Sequence, residues 1–398
     1  GVQEHLARVA GNAYVAMATQ HFVNAMLNQH EQPAVLSAAT KLKLTGAMRE
    51  VVNDGMDVLG GAGICQGPAN FLGAAYTSVP IAITVEGANT LTRSLIVFGQ
   101  GLNRSHPHVL DIVKSVHAGD DLDGFRAHTL KLVAHAATNA ARSAALGVAR
   151  RRGRGSGSAA DVIAYHESQL NRLAANFALL SDATLAMGGK LKFAEFISGR
   201  MADVFCNLYM GYATLWFHAQ QGGVPGAHKV LDHALSKLLV ESQEAMDGVL
   251  RNLPVPMLGG AVAQIVFPLG RTPYAPPADA LTRDVAQALV APGPLRELFK
   301  ENMFVSSQDP MDRIATLERA LPVCTRADEV LKTLRRERRQ PTEQEQALID
   351  EAEALRDVIV QVDSFERLGR EIDMPASWTA SDRPAYDALA GDGVSGTA

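Results

Sequence analysis

The sequence predicts an all-α protein, and three observations carry that prediction. Apolar residues recur at three- and four-residue steps through most of the chain. Glycine and proline clusters fall where that rhythm breaks, and only residues 79–85 (VPIAITV) form the short apolar, β-branched run expected of a strand. A chain of 398 residues holds roughly two domains of about 150–200 residues, each able to bury a core.

The elements follow in order. Val2, Leu6, Val9, Ala13 and Ala16 mark the apolar stripe of a first helix. A domain rarely begins inside an amphipathic helix, so the start of the protein is expected upstream of Gly1. Leu36, Thr40, Leu44, Met48 and Val51 mark a second helix, which stops at Gly60-Gly61-Ala62-Gly63. A third is expected from near Thr84 to Gly99. Residues 150–158 (RRRGRGSGS) are basic and rich in glycine and serine, which predicts a solvated linker. Helical periodicity returns over residues 160–220, with Leu170, Leu173, Phe177 and Leu180 on one stripe. Residues 252–277 carry many prolines and glycines and are expected to be extended or turning. Leu348, Ala352, Leu355, Ile359 and Val362 mark a last helix, and a disordered tail is expected from about residue 378.

Composition excludes several classes of function. Hydrophobic residues make up 47% of the chain and charged ones 20%, with a formal net charge of −5, so no basic surface for nucleic acid is expected. Cys65, Cys206 and Cys324 are too few and too scattered for a disulfide framework or a zinc site, which suits a reducing cytoplasm. No apolar run approaches the roughly 18 residues of a membrane span, and residues 201–219 carry Asp203, Asn207 and His218 and read as a buried helix. No signal peptide is evident. Of His106, His108, His128 and His135, only His128 and His135 share a helical face and no acidic pair completes a shell, so no metal site is expected.

Two stretches carry candidate chemistry. Glu86 follows Ile81, Ile83 and Val85 and precedes Leu91 and Leu95, company that predicts partial desolvation and a carboxylate suited to general-base work. Gly87 beside it lets a ligand approach the backbone. The competing reading has Glu86 capping a helix that starts near Thr84. The glycines of residues 60–67 (GGAGICQG) follow a helix instead of a strand, which excludes a Rossmann site. Either a loop whose amides face a phosphate or a plain helix terminus remains.

Taken in order, Asp57-Val58-Leu59-Gly60-Gly61-Ala62-Gly63, Tyr76, Thr84-Val85-Glu86-Gly87-Ala88-Asn89 and Arg93 resemble the carboxy-terminal helical domain of acyl-CoA dehydrogenases. There too a double-glycine turn precedes a Glu-Gly motif by about two dozen residues. The match is to the long bacterial FadE-type enzymes, through Thr84–Asn89 and Phe98-Gly99-Gln100-Gly101. Those enzymes continue into a further helical region that residues 106–398 resemble, including Phe267-Pro268-Leu269-Gly270-Arg271.

The resemblance implies a division into residues 1–105, the family's carboxy-terminal helical domain, and 106–398, its extension. The amino-terminal and middle domains have no counterpart. It implies an FAD-dependent oxidation of fatty acyl-CoA to trans-2-enoyl-CoA in fatty acid β-oxidation. Glu86 would take the α-proton while the β-hydrogen leaves as hydride to N5 of FAD, and an electron-transfer flavoprotein would reoxidise the flavin. The amide of Glu86 would bond the thioester carbonyl and stabilise enolate charge. Gly60 and Gly61 would approach the ADP part of FAD, that of a neighbouring subunit included, and Gly87, Ala88 and Thr90 the flavin. Asp57, where many relatives have glutamine, and Ala88, where threonine is commoner, depart from the pattern. A homodimer of the full-length protein is implied, cytoplasmic with peripheral contact at the inner membrane face, and a fragment inactive alone. The alternatives are an acyl-CoA oxidase and a non-catalytic helical module for dimerisation or membrane docking.

Overall fold

The computed structural model describes residues 1–67, 69–118, 121–149, 153–255, 257–303 and 313–362. The expected tail and Arg150, Arg151 and Arg152 lie outside them. Among the described residues every regular element is helical, as the periodicity predicts. In order they are α1 (Val2–Asn28), α2 (Ala34–Leu59), α3 (Gly61–Ile64), α4 (Gly73–Thr84) and α5 (Asn89–Leu91), then a π-helical segment (Thr92–Gln100) and α6 (Gly101–Ser105). There follow α7 (Val109–Ala118), α8 (Leu122–Ala149), α9 (Ala159–Leu185), a 3₁₀ turn (Gly188–Phe193), α10 (Glu195–Gln220) and α11 (Ala227–Asn252). The last are α12 (Leu258–Val266), α13 (Asp279–Val290), α14 (Pro294–Glu301), α15 (Arg313–Glu337) and α16 (Glu343–Val360).

The apolar run 201–219, expected to be a buried helix, lies in the central helix, α10, and is largely buried there. It packs against α1, α9, α11 and the π-helical segment, and α1 also packs on α2 and α13. One continuous core results, shared by α1 and α2 with α9, α10, α11 and α13. Tyr14 of α1 meets Phe217 of α10 edge to face at 5.5 Å, and its hydroxyl shares a hydrogen bond with Nδ1 of His218 at 3.0 Å. Helices α15 and α16 pair around a small core of their own, Val323, Ala327 and Ala352. Thr342 and Glu345 form a capping box that starts α16.

The predicted stripe on α9 is the buried one, with Leu170, Leu173 and Leu180 in the core and Phe177 packed against it. On α1 the face differs. The structure buries Ala7, Ala10, Gly11, Tyr14 and Ala18 and leaves Val2 exposed and Leu6, Val9 and Ala13 half-buried. Small residues win because α1 lies close on α11: a Cβ at Gly11 would come within 3.2 Å of His233 Nδ1 and 3.6 Å of Ala234 Cβ.

Three other expectations give way. The strand-like run, 79–84, is the end of α4, which carries Pro80 inside it. Docking on α2 decides this: Val79 is buried, and Gly55 leaves room for Leu72. Within 252–277, residues Leu258–Val266 are helical, and the proline-rich part after them is tied down by its own polar partners. Buried Arg172 donates to the Val266 carbonyl at 2.9 Å and the Tyr274 hydroxyl at 3.3 Å, and the Tyr274 amide donates to Gln243 at 2.8 Å. The linker, where described, is anchored as well. Arg154 donates to buried Asp232 at 2.6 Å and to Ser236 at 2.7 Å, and Ser158 caps α9. The solvated linker expected here is altered only at half-buried Arg154; Gly153 and residues 155–158 are exposed.

Candidate active site

Helix α4 stops at Thr84 and α5 begins at Asn89, so Glu86 stands in a four-residue break between helices. It caps neither of them, because the N-cap of α5 is Ala88. Both Glu86 (φ 53°) and Gly87 (φ 86°) are left-handed, which for a non-glycine residue costs about 1–2 kcal/mol. The turn is held by α2. Lys41 Nζ donates to the Gly87 carbonyl at 2.8 Å, to Asn89 Oδ1 at 2.8 Å and to the Ile83 carbonyl at 3.5 Å. Asn89 Nδ2 in turn donates to Thr45 Oγ1 at 2.9 Å and the Leu42 carbonyl at 3.2 Å.

Glu86 itself is exposed, contrary to the desolvation its neighbours predict. The apolar neighbours are exposed with it: Ile81 by 59%, Val85 by 47% and Leu91 by 46%. Helix α4 buries Val79 against α2 and leaves Ile81 exposed, while Val85 and Leu91 lie exposed beyond its end. The turn therefore carries a carboxylate amid apolar surface that nothing in this chain covers among the described residues.

The π-helical segment follows directly. Such segments cost hydrogen-bond geometry and cluster at functional sites. From the first turn of this one Arg93 reaches α10, where its Nε and Nη2 donate to Asp203 at 3.0 and 2.5 Å, with Lys43 3.3 Å away on the other oxygen. Gly199 makes the room, since a Cβ there would sit 2.5 Å from Arg93 Nη1. A cleft of about 280 Å³ opens between Leu42, Asn89, Thr90 and Arg93 on one side and Glu195 and exposed Phe196 on the other. Lys41, Asn89, Asp203 and Phe196 are the functional candidates that sequence reading missed. Their contacts join segments 42 to 160 residues apart, and no local pattern signals them.

Gly60 and Gly61 are not part of this cluster. Gly60 takes φ 57° at the carboxy-terminal end of α2, whereas the Glu86 turn lies against Lys41–Thr45 near its start, about 25 Å away along the helix. Both glycines are exposed, and a Cβ on either would meet nothing within 4 Å. Asn70 organises the loop behind them, donating to the carbonyls of Gly63 and Cys65 at 2.7 and 2.9 Å and accepting from the amides of Leu72 and Gly73. Ala88 and Thr90 are exposed on the Glu86 turn, with Gly87.

The histidines group differently from the sequence expectation. His106, His108 and His135 stand 5.2–6.2 Å apart, centroid to centroid, and Asp182 of α9 joins them. His106 Nδ1 accepts the His108 amide at 3.2 Å, so Nε2 carries the proton and donates to Asp182 at 2.9 Å. Asn139 donates to the other carboxylate oxygen at 2.8 Å, and His135 Nδ1 lies 3.2 Å from the first. Burial pushes the Asp182 carboxyl up, but the bonds from His106 and Asn139 outweigh it and hold it below the usual value. Donor atoms of His106, His135 and Asp182 lie within 4.8 Å of one another, yet a protonated Nε2 facing the carboxylate makes this a hydrogen-bonded hub instead of an open ligand set.

Comparison with known proteins identifies the family of both parts of the chain. Residues 1–99 match the family "Acyl-CoA dehydrogenase, C-terminal domain", and residues 103–346 match "Acyl-CoA dehydrogenase, C-terminal, bacterial type". The chain belongs to the acyl-CoA dehydrogenase family. The two acyl-CoA dehydrogenase matches meet where the π-helical segment runs into α6. The fold is similar to a crystal structure of an acyl-CoA dehydrogenase complexed with FAD from Bacillus anthracis, with a TM-score of 0.52 and 14% identity. The likeness covers 74% of this chain and 48% of that one, so the chain spans about half the length of this acyl-CoA dehydrogenase. Among the described residues, no helix is long and apolar enough to cross a membrane.

Proposed function

We propose that this chain is the carboxy-terminal part of an FAD-dependent acyl-CoA dehydrogenase in which Glu86 removes the α-proton of a fatty acyl-CoA. Residues 1–105 then form the catalytic helical domain and 106–398 an extension that shares its core. The observation that carries the reading is the Glu86 turn: a carboxylate in left-handed backbone, pinned by Lys41 and Asn89, amid exposed Ile81, Val85 and Leu91. Backbone strain of this kind persists where function selects it.

In this reading an acyl chain and a second protein body cover the apolar surface, and Glu86 then works out of water, where its charge acts at full strength. Its amide donates to the thioester carbonyl and stabilises the developing enolate. FAD supplies the acceptor for the β-hydrogen, as hydride at N5, and the product is the trans-2-enoyl-CoA of fatty acid β-oxidation. The chain offers flavin two separate surfaces. Gly87, Ala88 and Thr90 lie beside the base, and the open double-glycine turn, Gly60-Gly61, lies at the far end of α2. That separation suits contact with two flavins across a homodimer better than one enclosed site. The isolated chain should accordingly hold FAD weakly and be inactive. Reoxidation falls to an electron-transfer flavoprotein and the enzyme to the cytoplasm.

The deciding experiment is Glu86→Gln in the full-length enzyme, mixed anaerobically with acyl-CoA. The protein should keep its flavin and yellow colour, while bleaching slows by about 10²–10⁴-fold, the usual contribution of a general base. Bleaching at the unaltered rate would place the base elsewhere.

A further inference from the structure

We infer that Lys41 is a positioning residue for the base: its ammonium locks the Glu86 turn in the conformation that aims the carboxylate. This rests on the reading of Glu86 as the base.

An ammonium has three donors on a compact point charge. At Lys41 all three have acceptors, and the acceptors are not on its own helix. Ile83 O belongs to the last turn of α4, Gly87 O follows the base, and Asn89 Oδ1 opens α5. One side chain thus gathers the end of α4, the break and the start of α5 at a single point. The Ile83 contact also places a cation at the carboxy-terminal end of α4, where unpaired carbonyls concentrate negative charge. The Gly87 carbonyl accepts from Lys41 at 2.8 Å but from the Thr92 hydroxyl only at 3.4 Å, so Lys41 is the stronger hold. Asn89 is secured in turn by the carbonyl of Leu42, next to Lys41, and by Thr45, one helical turn further along α2.

Glu86 gains nothing from its left-handed backbone as a side chain of the fold, since it is exposed and its φ is unfavourable for any residue with a Cβ. Released from Lys41, the break can relax toward ordinary φ, and the carboxylate shifts with the backbone that carries it. A displacement of about 1 Å at a reacting group costs on the order of 10²-fold in rate.

The test uses the full-length holoenzyme with Lys41→Met and Lys41→Arg. Lys41→Met should slow flavin bleaching per bound FAD by about 10–100-fold, with KM close to the wild type. The isotope effect with α-deuterated acyl-CoA should rise, because proton removal becomes more fully rate-limiting. Lys41→Arg should recover only part of the rate, its planar fork fitting three convergent acceptors poorly. A residue that merely stabilises the fold would lower the melting temperature and flavin content and leave the rate per flavin and the isotope effect alone, and that outcome overturns the inference. If Lys41→Met does not fold, Asn89→Ala removes one of the three acceptors, and the same rise in isotope effect with a smaller loss of rate is expected. An unchanged isotope effect there also overturns it. Glu86→Gln separates the two claims. If it bleaches normally, the base reading fails; if it is dead while Lys41→Met matches wild type, only the positioning role fails.

Discussion

The packing of α1 on α10 and α11 and the break that carries Glu86 are opposite kinds of structure built from one chain. In the first, small residues bring helices close, aromatic rings meet edge to face, and buried polar groups such as Tyr14 and His218 satisfy each other. In the second, apolar side chains face outward, two consecutive residues are left-handed, and polar clamps supply the order that packing does not. The contrast separates what holds the fold from what the fold holds up. Substitutions should therefore sort cleanly, with large stability effects and no direct chemical effect in the first region and the reverse in the second.

The largest effect on stability is expected at Leu235, fully buried on α11. Leu235→Ala should cost about 2–5 kcal/mol in urea unfolding, by lost transfer energy and the cavity left behind. Ile81→Ala, on the exposed side of α4, should stay within about 0.5 kcal/mol. Comparable losses at both positions would break the comparison. Next is Gly211→Val. A Cβ at Gly211 would lie 2.6 Å from Leu170 Cδ2, so overpacking should cost about 1–3 kcal/mol, visible as a lowered melting temperature.

Acid should weaken the packed region before the carboxylates titrate. Burial pushes His166, His218 and His233 below the ordinary histidine value of 6.5. In the unfolded chain they protonate at that ordinary value, so between it and their folded values the unfolded state binds more protons. Their contribution is thus whole above pH 6.5 and is lost as pH falls from there toward the folded values. Asp54, Asp182 and Asp232 are held below the usual carboxylate value of 3.8, net of burial, by donors that include Arg8, His106 and His166. Their loss begins only in stronger acid. Urea unfolding from about pH 7.5 down to 5 should show falling stability, by at most about 1.4 kcal/mol per pH unit for each histidine that stays neutral in the fold. A flat profile would mean these histidines are hydrated.

How far the sequence could be read follows the same division. Period alone found the α9 stripe and α16, because large apolar side chains repeat there on one face. The same rule chose the wrong face of α1, where Ala7, Ala10 and Gly11 are buried for being small. It also took the end of α4 for a strand, since β-branching and Pro80 argue against a helix locally and only docking on α2 overrules them. At the site, the Glu-Gly pair drew attention to Glu86, but as a desolvated carboxylate or a helix cap instead of the exposed left-handed break it occupies, and the clamp from Lys41 spans 46 residues to Gly87 while Arg93 reaches 110 to Asp203. Contacts of that span leave no trace in local pattern. The Asp182 hub was hidden likewise, its histidines lying 47 and 76 residues from the acid.

The smallest effect on stability is expected at the proposed base. Glu86 carries about 1–2 kcal/mol of backbone strain, and its exposed side chain returns no packing. Asparagine tolerates the left-handed region best among residues with a Cβ, so Glu86→Asn should leave the melting temperature unchanged or raise it slightly. Glycine at the same position also relieves the strain but frees the unfolded chain, and the two changes should nearly cancel. Both variants should lose flavin bleaching by acyl-CoA in the full-length enzyme. A gain or tie in stability together with lost turnover is what a residue kept for chemistry shows. If instead Glu86→Asn melts several degrees lower, the carboxylate is part of what holds the turn, and the distinction between the two regions fails at its most informative point.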